Sequence, residues 1–303
     1  LGKAFQIELK KPQYSAVNSV RFIGRSDCDL SDAQQLFATL EQCNPQLIIN
    51  AAAYTAVDKA EAEVDLAFAI NALAPEVMAQ YAVSQGATLL HFSTDYVFDG
   101  SKQAAYVETD STNPLGIYGK SKEAGERAIA NSFAKSERGR YAILRTSWVY
   151  GDGGNFIRTM LRLAKERSEL RVIHDQHGVP TSAQWLADVA LHLVLDDAGT
   201  IRPFTSGIYH AVPPGETTWH GLACHAIESA LSSGAQLSAT PEAIQPIPAT
   251  EYPLPAPRPM NSRLSTQKLQ SELERLNLVS KLPHWNASWE EQVARYVKQL
   301  LAD

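Results

Sequence analysis

The sequence predicts an α/β protein built on a doubly wound parallel sheet, followed by a smaller α/β domain. Short apolar runs alternate with helical segments through the first half, the pattern of parallel strands joined by crossover helices. Two of those runs end in small or polar residues, Ala51-Ala52-Ala53 and Ser93-Thr94. Open parallel sheets bind ligands at just such places, beyond the carboxyl ends of their strands. With 303 residues the chain is long enough to divide into two lobes.

Taken in order, Val20-Arg21-Phe22-Ile23 reads as a strand, and residues 46–50 as a second that ends in the alanine run. Helices are expected over residues 60–69 and 74–85, the latter stopped by Gly86. Residues 87–92 form a third strand, with Ser93 and Thr94 at its carboxyl end. A helix carrying Tyr118 and Lys122 runs to about residue 134, and residues 141–145 form a fourth strand. Beyond residue 150 the expected order is a helix (155–167), a strand (170–173), a loop (175–181), a helix (183–194) and a strand (207–212). Residues 241–259 hold too many prolines for a helix and read as an extended surface loop. A helix over 288–301 closes the chain. Residues 1–150 are expected to form one domain and 151–303 mainly the other, with about 170–200 returning to the first.

Composition narrows the function. Hydrophobic content of 45% and charged content of 20% fit a soluble globular protein. The net charge of -6 and the lack of a basic block leave nucleic-acid binding without electrostatic support. No apolar run approaches the ~18–20 residues that span a bilayer, and no secretory signal is expected. Cys28, Cys43 and Cys224 are odd in number and lack metal-ligand spacing, so they read as reduced thiols of a cytoplasmic protein. The histidines show no metal pattern either; His174 and His177 read as surface or packing residues.

The chemistry concentrates at Tyr118 and Lys122, four residues apart and so on one helix face. Such pairs are common and most are an aromatic beside a solvated charge. Here the strand end supplies a neighbour, since Thr94 or Ser93 can fix a substrate oxygen beside the phenol. A free phenol titrates near pH ~10, and a nearby cation brings it toward neutrality. Together these groups suit reduction of a carbonyl or oxidation of an alcohol.

The motifs resemble the extended short-chain dehydrogenase/reductases, and within them the dTDP-4-dehydrorhamnose reductase family. The likeness rests on the segments Asn50-Ala51-Ala52-Ala53-Tyr54-Thr55-Ala56-Val57-Asp58-Lys59-Ala60-Glu61 and Ser93-Thr94-Asp95-Tyr96-Val97-Phe98-Asp99-Gly100. It continues through Asn113-Pro114-Leu115 to Tyr118, Lys122, Gly125 and Glu126, and through Leu144-Arg145-Thr146-Ser147-Trp148-Val149-Tyr150. Two later segments complete it, Asp175-Gln176-His177-Gly178-Val179-Pro180-Thr181 and Arg258-Pro259-Met260-Asn261-Ser262-Arg263-Leu264. The resemblance implies a Rossmann-like dinucleotide-binding domain and a nucleotide-sugar-binding domain. It implies reduction of the C4 ketone of a dTDP-4-dehydro-6-deoxy-L-hexose. Thr94, Tyr118 and Lys122 would be catalytic, with Lys122 lowering the Tyr118 pKa and holding the nicotinamide ribose.

The same likeness assigns the cofactor to Gly2, Arg25, Asp29, Leu30, Ala53, Tyr54 and Thr55, and the substrate to Thr94, Asp95, Trp148 and Arg258. Family members open with a strand and a glycine-rich turn that seats the pyrophosphate. Leu1-Gly2-Lys3-Ala4-Phe5 is similar to the end of that turn, so roughly a dozen further residues are expected upstream, one strand and its turn. Arg25 follows the first predicted strand where NAD-preferring sites carry an acid. This favours NADPH, with NADH as the alternative. Some members form a homodimer and hold a divalent cation (Mg) at its contact, with no ligands matched in this sequence. The rivals are a non-catalytic NADP-binding regulatory subunit, similar to the beta subunit of methionine adenosyltransferase, and an epimerase or dehydratase on the same scaffold.

Overall fold

The computed structural model describes residues 1–302 apart from Asn18 and Lys135. Four strands, Leu47–Asn50, Thr88–Thr94, Arg140–Thr146 and Gly207–His210, pair in parallel in that spatial order. The strand Thr88–Thr94 lies inside the sheet and every residue in it is buried. Covered on both faces, it buries even its polar residues, Thr88, His91, Ser93 and Thr94, beside Leu89, Leu90 and Phe92. On one face Leu90, Phe92, Ala142, Leu144 and Tyr209 pack against the helix Ala183–Val194, joined by Phe5 from the helix Gly2–Glu8. On the other, Ile48, Leu89 and Ile143 meet the helices Ala33–Cys43, Ala74–Gln85 and Ile117–Phe133 through Leu40, Met78 and Ile129. The doubly wound α/β class predicted from the sequence is the one observed.

A second group of elements has its own core. The helices Phe156–Glu166, Trp219–Ser232 and Trp289–Ala302 bury Ile157, Met160, Leu222, Ile227 and Val293. Beside them Leu170–Ile173 pairs in parallel with Ile244–Ile247. The helix Phe156–Glu166 begins where it does because the Asn155 side chain accepts the Arg158 N–H at 3.1 Å, filling one of the open N-terminal donors.

The structure departs from the sequence reading in four places. Val20-Arg21-Phe22-Ile23 is extended but is not a strand, and Phe22 and Ile23 are 47% and 48% exposed. Among the described residues no neighbouring strand pairs with it, and a strand exists only through its pairing. The helix expected over 60–69 is instead two short ones, Val57–Ala60 and Val64–Phe68. The second passes through a π-helical turn, Ala69–Leu73, into Ala74–Gln85. The resulting helix, Val64–Gln85, has 22 residues, and its most apolar 18-residue window has a mean hydropathy of 1.3, long and apolar enough to cross a membrane by length and composition. It is not an unbroken apolar run, since it carries Asp65, Asn71 and Glu76, and half of that window is buried within the fold. The proline-rich loop contributes the strand Ile244–Ile247, where Pro246 is tolerated because a two-stranded sheet has only edges. The helices Ala33–Cys43, Trp219–Ser232 and Gln267–Arg275 were not read from the sequence.

Candidate active site

The strand Thr88–Thr94 turns at Asp95–Val97, and the helix Ile117–Phe133 starts over that turn. Two glycines let the helix lie close. A Cβ on Gly119 would stand 2.2 Å from the Tyr96 carbonyl oxygen, and one on Gly125 2.1 Å from that of Asn71. Glu61 reaches across so that its Oε1 accepts the Ile117 N–H at 2.8 Å. A carboxylate there satisfies an open donor and complements the positive end of the helix. Tyr118 therefore sits in the first helical turn, directly above the strand end.

Thr94 is the hub. Its hydroxyl donates to Asp95 Oδ1 at 2.9 Å and accepts the Tyr96 N–H at 3.2 Å. It also lies close enough to the Tyr118 phenol to favour its ionised form. The Tyr118 and Tyr96 rings meet edge-on, 5.6 Å apart. Burial pushes the phenol up to about 12, opposed by the Thr94 hydroxyl and aided by the Asp95 charge. Burial likewise raises the Asp95 carboxyl to about 6, against hydrogen bonds from Ser262 and Thr94.

This corrects the expected role of Lys122. The sequence reading has the ammonium drawing the phenol down toward neutrality; the phenol instead moves up, and Lys122 is not among the groups that shift it. The lysine shares the helix face with Tyr118, but its long stem bends into the sheet. Its Nζ donates to the Phe92 carbonyl at 2.6 Å and lies 3.1 Å from His91 Nε2. Burial lowers Lys122 to about 8, with the Glu126 charge acting upward. A phenol held protonated at neutral pH is fit to donate a proton rather than to remove one.

Several supporting residues were invisible to the sequence reading. Asn71, buried in the π-helical turn, accepts the Tyr54 N–H at 2.9 Å. Its Nδ2 donates to the Tyr54 carbonyl and to Ser121 Oγ, each at 3.0 Å. One side chain thus ties the Ala53–Tyr54 loop to the helix that carries Tyr118. His91 and Ser262 are the other members of this group. No local signal marks them, because each acts on a residue distant in sequence.

The remaining predicted residues fall in two places. Trp148 has a left-handed backbone (φ 46°) that a bulky residue rarely adopts. Its ring stacks on Trp219, with centroids 3.7 Å apart, and a Cβ on Gly178 would stand 2.6 Å from it. Arg258 is paired with Asp58 through two hydrogen bonds of 2.9 and 2.8 Å and also donates to the Ala256 carbonyl. Rather than a free cation, it is the tie between the proline-rich segment and the helix Val57–Ala60. Gly2 opens the helix Gly2–Glu8, Arg25 is exposed in a turn, and the Asp29 carboxylate is engaged by Ser31. Leu30 packs on the core, and Ala53 and Thr55 lie on the loop after Leu47–Asn50. Among the described residues no hydrogen bond joins Gly2, Arg25, Asp29 or Leu30 to the Thr94–Tyr118 cluster.

A dinucleotide cofactor fits this end of the sheet. Ser93 Oγ and Thr146 Oγ1, at the ends of adjacent strands, are buried with no hydrogen-bond partner among the described residues. Polar groups left open in this way at a sheet's carboxyl end call for a ligand or water. For the divalent cation the finding is different: among the described residues no group of three or more His, Cys, Asp or Glu side chains is placed to hold a metal ion.

Comparison with known proteins gives one answer. The family model described as the RmlD substrate binding domain matches residues 1–301. The dTDP-4-dehydrorhamnose reductase of Salmonella typhimurium is 44% identical over 270 residues, covering 89% of this chain and 84% of its own length. The crystal structure of the dTDP-4-dehydrorhamnose reductase from Clostridium acetobutylicum superposes with a TM-score of 0.82 at 33% identity, covering 99% of this chain and 95% of that one. The Bacillus anthracis enzyme of the same name, solved in complex with NADP, gives 0.81 at 31% identity, covering 98% and 95%. On the match along residues 1–301 and these identities, the chain belongs to the dTDP-4-dehydrorhamnose reductase family.

Proposed function

We propose that the protein reduces the C4 ketone of dTDP-4-dehydro-6-deoxy-L-mannose to give dTDP-L-rhamnose, with NADPH as the reductant. The observation that carries this reading is the placement of Thr94, at the carboxyl end of a sheet strand, beside Tyr118 in the first turn of the next helix, in a chain of this family. NADPH, when bound, supplies the hydride. Support for NADPH over NADH comes from the relative in complex with NADP and from Arg25, positively charged at a turn where an acid would select NAD.

The chain's own residues do the rest. Tyr118 keeps its proton at neutral pH and gives it to the oxygen that becomes the alkoxide. Thr94, held by Asp95, turns its one hydroxyl proton from Oδ1 to that oxygen and so fixes it beside the phenol. Lys122 holds the nicotinamide ribose, and Gly2, Arg25, Asp29, Leu30, Ala53, Tyr54 and Thr55 make up the remaining cofactor contacts. Asp95 and Trp148 bound the hexose. Arg258 serves the diphosphate, a role in which it must share its guanidinium with Asp58. Residues 1–150 with the helix Ala183–Val194 and the strand Gly207–His210 make the cofactor lobe, and most of the remainder binds the nucleotide sugar. Three free thiols suit a reducing, cytoplasmic setting.

The test is cofactor oxidation with the keto-sugar nucleotide, comparing the protein with Tyr118→Phe. The variant should lose about 10²–10⁴-fold in turnover, the range for removing a positioned acid, while cofactor affinity stays near its original value. A variant that keeps most of its activity would overturn the assignment.

A further inference from the structure

We propose that His91 is a positioning residue for this reduction: it holds the Lys122 amine through Nε2 while Asn50 holds its opposite ring nitrogen. The inference rests on the function proposed above and adds a residue to its machinery. His91 is fully buried in the central strand, three residues before Thr94, amid otherwise apolar neighbours. Its Nε2 lies 3.1 Å from Lys122 Nζ, and its Nδ1 lies 3.0 Å from Asn50 Nδ2. A histidine needed only for packing would be matched by an apolar side chain at no polar cost. Here three buried polar groups from two strands and a helix form a line that ends on the Lys122 amine, one helical turn from Tyr118.

The chemistry of the line is specific. An ammonium has three protons to donate. The Phe92 carbonyl takes one at 2.6 Å and His91 Nε2 takes a second, which leaves the third uncommitted. For His91 to accept, it must be neutral. Burial first, and the Lys122 charge second, hold it well below the usual histidine range. Its remaining proton then sits on Nδ1, facing the Asn50 amide. As it stands the amide turns Nδ2 to the ring while its Oδ1 accepts the Ala52 N–H at 3.3 Å; turning over exchanges that contact for one to the Nδ1 proton, so it can meet either tautomer. With Lys122 charged, Nε2 accepts from the amine and Asn50 takes the Nδ1 proton. With Lys122 neutral, Nε2–H donates to the amine and the Asn50 NH2 donates to Nδ1. The line follows the lysine between its two states and leaves neither nitrogen unpaired.

The other groups that face Lys122 are Glu126, one turn along the same helix and paired with Arg145 from the next strand, and Tyr118, one turn back. Neither replaces the acceptor that His91 supplies. Replacing His91 by Leu should therefore disfavour the charged amine and move its titration to lower pH.

The experiment compares the whole protein with His91→Leu and His91→Gln, whose amide oxygen can accept in place of Nε2. Turnover is followed across pH. Lys122 is followed directly by NMR of ¹³Cε-labelled lysine, assigned with Lys122→Arg. His91→Leu should lose about tenfold or more in kcat, and its alkaline limb and the Lys122 titration should both move down by about one pH unit, as expected for losing a hydrogen bond to a charged group. His91→Gln should recover most of both shifts. Thermal unfolding of each variant shows whether it folds. If His91→Leu folds with the Lys122 titration unmoved, or if it loses activity only in proportion to stability, His91 is a packing residue and the proposal is wrong. An active Tyr118→Phe would instead remove the proposed function, and the NMR titration would still report on His91 and Lys122.

Discussion

Arg145 and Glu126 form a two-point ion pair inside the fold. Arg145 Nη2 lies 2.6 Å from Glu126 Oε2, and Nε lies 2.9 Å from Oε1. The pair joins the strand Arg140–Thr146 to the helix that carries Tyr118 and Lys122, and the guanidinium also lies over the Phe98 ring, 5.0 Å from its centroid. A buried pair of this kind is weak evidence of net stabilisation, yet either partner left alone is a buried charge without compensation.

Glu126→Gln or Arg145→Met should each destabilise the protein by about 3–5 kcal/mol, the range for stranding one buried charge. Denaturant unfolding should show a lower midpoint with an unchanged slope. The double change, Arg145→Met with Glu126→Leu, should cost less than the sum of the two. Additive losses would mean that the pair is not coupled.

Asn71 is the tie between the Tyr54 loop and Ser121. Asn71→Leu keeps the volume but leaves the Tyr54 N–H and carbonyl open. The expected cost is about 1–3 kcal/mol of stability for each buried group left unpaired. Because the loop it holds is assigned to the cofactor, KM for NADPH should rise more than kcat falls. Steady-state kinetics with the cofactor as the varied substrate would read this split.

Gly178→Ala places a methyl 2.6 Å from the Trp148 ring, which Trp219 already covers on one face. The ring cannot retreat without breaking the stack. Overpacking of this kind costs about 1–3 kcal/mol. The change should raise KM for the sugar nucleotide and leave NADPH affinity in place. Equal effects on both ligands would argue against Trp148 as part of the sugar site.

Turnover should fall on both sides of a window set by two shifted groups. Above about 8 Lys122 gives up its proton, and below about 6 Asp95 takes one up and no longer orients Thr94 as a charged acceptor. Stability runs the other way at Asp95. Its folded pKa lies above the ordinary carboxylate value of 3.8, so its contribution is fully present below about 3.8 and is lost as pH rises through about 6. Asp95→Asn should flatten the acid limb of kcat/KM and remove this stability slope. An unchanged acid limb would assign it to another group.

Much of the scaffold was legible from residue order. The run 87–92 and the spacing of Tyr118 from Lys122 identify a buried strand and a one-turn helix pair, since strand and helix periods are local geometry. Gly86 ended its helix where expected. Where a segment needed a partner, the local reading failed. Val20-Arg21-Phe22-Ile23 has strand composition without strand pairing, and Ile244–Ile247 is a strand despite Pro246 because Leu170–Ile173 lies beside it.

The sequence by itself determined which reactive groups exist and which element carries each: Thr94 at a strand end, Tyr118 and Lys122 on one helical face. Only the tertiary structure decided their states. It turned Lys122 toward Phe92 and His91, raised the phenol instead of lowering it, and engaged Arg258 with Asp58. Protonation and side-chain direction depend on burial and on partners from distant parts of the chain, and those are set when the elements pack.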